Sequence, residues 1–83
     1  MRSLATEADV RARSVRVENG WVCVCLEDDR ELRFPVVKSR RLRSARSEAV
    51  KNVELVCNGT GLHWPELDED LSIRGILEGR FGA

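Results

Sequence analysis

Apolar and polar positions alternate along two stretches of the chain, each centred on an Asn-Gly pair. Asn-Gly suits a two-residue hairpin turn, because both central residues need positive φ. Around Asn19-Gly20 this sets Val17 opposite Val22 and Val15 opposite Val24. These four valines share a face with Leu26, which makes that face the core side. The opposite face carries Ser14, Arg16, Glu18, Trp21, Cys23 and Cys25. After the polar turn Glu27-Asp28-Asp29-Arg30, the run Glu31-Leu32-Arg33-Phe34 has period two again, with Leu32 and Phe34 inward and Pro35 as its end.

From Val37 to Asn52 the period becomes helical, with Leu42, Ala45, Ala49 and Val53 inward. Two of those positions are alanine, so the apolar face is weak and leaves room for a break into two shorter helices near Ser44 to Ser47. Asn58-Gly59 then sets Leu55 opposite Leu62, Val53 opposite Trp64 and, on the outer side, Glu54 opposite His63. Pro65 stops that strand, and Leu67 and Leu71 fold back towards the core. Ser72 is placed to cap a short helix through Ile73, Ile76 and Leu77 that Gly79 ends. The expected order is β-β-β-α-β-β-α, an α+β fold with a small antiparallel sheet and its helices packed on one face. A flexible leader is expected over residues 1–12, a single domain over 13–80 and a tail over 81–83.

Composition narrows the choices. A chain of 83 residues supports one domain, and a domain of that size buries roughly 60% of its unfolded surface. Charged residues make up 34% of the chain with a formal net charge of zero, which argues against a polyanion binder driven by bulk charge. The charges are segregated, however. Lys38, Arg40, Arg41, Arg43 and Arg46 form a run without an acid, and Glu66, Asp68, Glu69 and Asp70 oppose it. Cys23, Cys25 and Cys57 are odd in number. Cys23 and Cys25 on one strand face would hold their Cβ atoms about 6–7 Å apart, too far for a disulfide. Free thiols, a start without an apolar run and the lack of any membrane-length stretch lead to the expectation of a cytoplasmic protein.

The run from Gly61 through His63-Trp64-Pro65-Glu66-Leu67-Asp68-Glu69-Asp70-Leu71-Ser72 to Gly75, Leu77 and Gly79 resembles the C-terminal motif of domain-of-unknown-function family 2442 of bacteria and phages. The likeness extends upstream through Asp29-Arg30, the strand ending at Pro35, and Arg41-Leu42 with Ala45, covering about residues 14–80. It implies a small α+β unit encoded beside another short protein, in modules that look like toxin–antitoxin pairs. In this sequence Lys38-Ser39-Arg40 stands where the family usually has two aromatic residues and a proline, and Asp29 stands at a turn position usually held by glycine. The first change exchanges an apolar patch for positive charge.

Three candidate sites follow. His63 with Glu66, Asp68 and Asp70 has the side chains of a divalent-metal or acid–base site. One histidine without regular ligand spacing argues instead for a surface strand residue beside Glu54, with the acids turning the chain and favouring the last helix. The basic run Lys38, Arg40, Arg41, Arg43 and Arg46 is a surface for protein or phosphate. Its charges wrap round the helix, which also fits a solvated face or a mate for the chain's own acids. Trp21 is a lid over Cys23 or an exposed anchor for a partner, and Trp64 belongs to the core. Cys23 has Arg16 across from it but no histidine base in the inferred layout, so no nucleophile is assigned.

The leading expectation is a non-enzymatic protein-binding module without catalytic residues, metal or cofactor. It would act as the antitoxin-like or accessory half of a two-gene pair, its partner a small protein encoded next door. Contact is expected through Trp21, Lys38, Arg40, Arg41, Arg43 and Arg46. His63, Trp64, Pro65, Leu67, Asp68, Glu69, Asp70, Ser72, Gly75 and Leu77 are expected to be mainly structural. The alternative is a nucleic-acid-associated transcriptional regulator, and the third reading a metal-dependent enzyme built on His63 and the acids. Unpaired strand edges leave room for a homodimer.

Overall fold

The computed structural model describes residues 10–82; the expected leader falls outside the described residues for positions 1–9. Both Asn-Gly pairs form the turns their residues favour. Asn19 and Gly20 stand at φ 51 and 81, Asn58 and Gly59 at φ 58 and 87. The first joins β1 (Ala12–Glu18) to β2 (Trp21–Leu26), with Val17 opposite Val22 and Val15 opposite Val24. A bulge between Ala12 and Ser14 turns Ala12 back into the core. The third strand, β3 (Glu31–Pro35), pairs with β2 and sets Phe34 against Val22. At the connecting turn Asp29 has φ 72, the left-handed conformation that glycine ordinarily supplies there.

The helical stretch is broken where two serines and an extended Arg46 interrupt it. A one-turn 3₁₀ segment, Val36–Lys38, leads to α1 (Arg40–Arg43) and then α2 (Ser47–Lys51). Ser39 is fully buried, and its hydroxyl accepts the Leu42 N–H that opens α1. The Ser44 hydroxyl bonds back to the Arg40 carbonyl at 3.2 Å, one reason the helix stops. Leu42 and Ala49 are buried, while Ala45 and Val53 are half-buried.

The second hairpin joins β4 (Glu54–Val56) to β5 (Gly61–Trp64), in the register set by Asn58-Gly59: Leu55 opposite Leu62 and Glu54 opposite His63. Its turn lies so close to β1 that a Cβ at Gly59 would stand 2.7 Å from the Ala12 carbonyl oxygen. The chain then turns through residues 65–68 and returns as β6 (Glu69–Ser72), before Ser72 caps α3 (Ile73–Leu77) through its hydroxyl and the Gly75 N–H. The α+β class and the order β-β-β-α-β-β-α are both observed. The strands divide between two antiparallel sheets rather than one, β1-β2-β3 and β4-β5-β6, because the second hairpin does not pair with the first sheet, and β6 adds a strand where only a turn into the last helix was expected.

One core joins the two sheets. Val22, Val24, Leu26 and Phe34 from the first meet Leu62, Trp64 and Leu71 from the second, with Leu42, Ile73 and Ile76 from the helices. Phe81 packs on Phe34, ring centroids 5.1 Å apart, so ordered packing reaches past residue 80. Cys23 lies on the predicted outer face yet is only 2% exposed, between its cross-strand neighbours Arg16 and Arg33. Cys25 is half-buried, Cys57 is exposed, and none of the three is in a disulfide.

Candidate functional site: a cationic face beside an apolar groove

The acidic motif closes the fold. Trp64 is fully buried, and its indole N–H donates to the Val50 carbonyl at 2.8 Å, satisfying an acceptor at the end of α2. His63 and Asp70 face each other across β5 and β6, with Nδ1 and Oδ1 2.7 Å apart. Glu66 accepts a hydrogen bond from the Asn52 amide at 2.8 Å. Glu69 is buried opposite Trp64, with the Arg41 guanidinium 3.9 Å away. Glu66, Glu69 and Asp70 therefore point to separate partners, Asp68 is exposed at the turn with φ 51, and among the described residues no three His, Cys, Asp or Glu side chains converge as a metal ligand set.

The basic run splits by role. Arg41 reaches across the molecule: its guanidinium donates to the Leu67 carbonyl at 3.2 Å, beside Glu69. It pins α1 to the turn before β6, so for this residue the pairing with the chain's own acids is the one observed. Arg46 lies 3.8 Å from Glu48 at full exposure, a contact worth little. Lys38, Arg40 and Arg43 are exposed, and no carboxylate of the described residues comes within 4.0 Å of them.

These three line one open concavity of about 520 Å³ with Arg80 and Phe81 from the chain end. Arg80 is partly neutralised by an ion pair with Glu78, whose carboxyl is held below its usual range by hydrogen bonds from Arg74 and Arg80. Nothing in the spacing of the basic run announces Arg80, because it arrives through the turn after α3. On the other flank of α1 lies a groove of about 220 Å³ between the first hairpin turn and the helices, with Val17, Val36, Leu42 and Val50 along it and Arg43 and Lys51 at its edge. Arg43 borders both concavities. Val37, at the foot of α1, is 60% exposed.

Trp21 lines neither concavity. It is 40% exposed, and the Arg33 guanidinium lies 5.1 Å from its ring centroid, so a cation covers part of the ring. No helix among the described residues is long and apolar enough to cross a membrane.

Two hairpin-based sheets closed by a Trp-Pro-acidic clasp define a small α+β module whose open chemistry is a cationic face. The model of the family described as "Protein of unknown function (DUF2442)" matches residues 12–82, and the chain belongs to that family. Two solved structures are similar. A crystal structure of a protein of unknown function from Rhodospirillum rubrum shares 35% identity over 90% of this chain and 93% of that one, with a TM-score of 0.84. A solution structure of an uncharacterised protein from Chromobacterium violaceum shares 33% identity over 88% of this chain and 69% of that one, with a TM-score of 0.76. No curated protein matches.

Proposed function

We propose that the chain is a small, non-enzymatic protein-binding module of the cytoplasm, the antitoxin-like or accessory half of a bacterial two-gene pair. The observation that carries this reading is the cationic face formed by Lys38, Arg40 and Arg43, for which the described residues supply no counter-charge. An uncompensated cluster of this kind repels itself and gains most from an oppositely charged partner. The paired and dispersed acids of the motif favour a structural role over catalysis, and three free thiols fit a reducing compartment. Co-expression with the product of the adjacent gene, followed by purification, should yield a complex that persists at micromolar concentration. A folded chain that elutes alone at that concentration rejects the reading.

A second reading is a nucleic-acid-associated regulator, favoured by the same cations around one concavity with Arg80. It requires salt-sensitive retardation of the DNA upstream of its own gene. An unshifted band at low salt removes it.

A further inference from the structure

We infer that the partner meets this chain with an acidic segment carrying an apolar anchor, the anchor in the groove between the first hairpin and α1–α2 and the carboxylates on Lys38, Arg40 and Arg43. The inference rests on the binding-module reading and specifies its surface. Three features lead to it. The groove is open because small residues, Ala45 and Ser47, stand at the helix break, where a continuous amphipathic helix would carry larger side chains. Its lining is largely apolar, with Val17, Val36, Leu42 and Val50 along it, so an inserted side chain meets hydrocarbon. Arg43 of α1 and Lys51 of α2 line it, and Arg43 belongs to both the groove and the cationic concavity.

The geometry also sets a spacing. The two concavities lie on either flank of α1 and share Arg43, and a helix with its side chains is about 10 Å across. A segment bridging them therefore needs its carboxylates about three to four residues from the anchor.

A second copy of this chain fits poorly as the occupant. Three of the four carboxylates of its acidic motif are engaged, Glu69 with Arg41, Asp70 with His63 and Glu66 with Asn52, which leaves a single exposed acid there, Asp68, against three cations. A nucleic-acid strand would use the cations and leave the apolar groove empty, because its charge lies on phosphates and its bases need flat aromatic platforms. Charge and shape together select an acidic segment of a different protein.

The test is a nitrogen-15 chemical-shift titration of the full chain with a synthetic peptide bearing a central Leu-Phe pair flanked by glutamates. Its controls are the same peptide with glutamine for glutamate, the same peptide with serine for the apolar pair, and oligothymidylate of equal charge. Saturable shifts are expected across residues 36–51 and 79–82, with both peptide controls bound more weakly. Arg40→Glu with Arg43→Glu should weaken binding about tenfold or more, as should a rise from about 50 to about 300 mM salt. Ala45→Phe should weaken it without altering charge. Melting curves of both variants confirm folding, and Lys51→Glu provides a further charge reversal at the groove edge.

Absence of saturable shifts at millimolar peptide overturns the inference. So does equal binding of the serine peptide, indifference to charge reversal, or tighter binding of oligothymidylate at the same residues. The same variants separate this failure from that of the module reading. If the neighbouring gene product binds wild type and Arg40→Glu/Arg43→Glu equally, the surface assignment falls and the module stands; if it binds neither, the module reading falls.

Discussion

Replacing Trp64 by phenylalanine tests the closing clasp. The indole is fully buried, and its N–H is bonded to the Val50 carbonyl at 2.8 Å. Phenylalanine keeps the position apolar but removes the pyrrole part of the ring, a loss of about 2 kcal/mol by transfer and cavity terms. It also orphans a carbonyl at the end of α2, where no further helical turn follows to satisfy it, adding about 1–2 kcal/mol. The sum, about 3–4 kcal/mol, is a large fraction of the 5–10 kcal/mol on the order of which such domains are stable. For a chain of this length it corresponds to a fall in Tm of about 15 °C or more. Urea unfolding followed by circular dichroism measures it, with Trp21→Phe as the exposed control, expected to change stability by about 0.5 kcal/mol or less. A Trp64→Phe protein within about 1 kcal/mol of wild type would refute the role given to the indole and to the α2 cap.

Further predictions follow from single contacts. Gly59→Ala should cost about 2 kcal/mol or more and Gly20→Ala about 1, because both glycines have positive φ but only a Cβ at position 59 meets the Ala12 carbonyl; equal losses in chemical denaturation would deny the close approach. Arg41→Met should destabilise by about 1 kcal/mol by stripping buried Glu69 of its cation and the Leu67 carbonyl of a donor, whereas Arg46→Met should leave the melting curve unchanged. Glu78 has a depressed folded-state pKa because Arg74 and Arg80 hydrogen-bond its carboxylate. Its contribution is therefore present above the unfolded-state pKa and lost as pH falls through the folded-state value. Wild type and Glu78→Gln should differ in Tm near neutral pH and converge in acid, and parallel curves across that window would refute the linkage.

Much of the fold is legible because its instructions are local. Each Asn-Gly pair fixes a turn, the turn fixes a register, and the register sends Val22, Val24 and Leu62 inward while placing Glu54 opposite His63. The helix break also follows from nearby residues, Ser44 and Ser47 among them. β6 is less legible. Its sequence Glu69-Asp70-Leu71-Ser72 does alternate buried and exposed, but its first inward residue is a glutamate, which reads as solvent until Arg41 is seen beside it. The His63–Asp70 pair is hidden for the same reason, since it exists only once β6 pairs with β5. The division of the basic run is tertiary too. Arg41 is drawn away to Leu67 and Glu69, and Arg80 arrives from the chain end to join Lys38, Arg40 and Arg43.

The cationic face is the centre of the functional account, and its most direct test is calorimetric titration of the folded chain with the protein encoded by its adjacent gene. A one-site isotherm is expected, with Kd at or below about 1 μM, about −8 kcal/mol. A chain with an intact melting transition that produces no binding heat, at several temperatures and at about 100 μM partner, would contradict it.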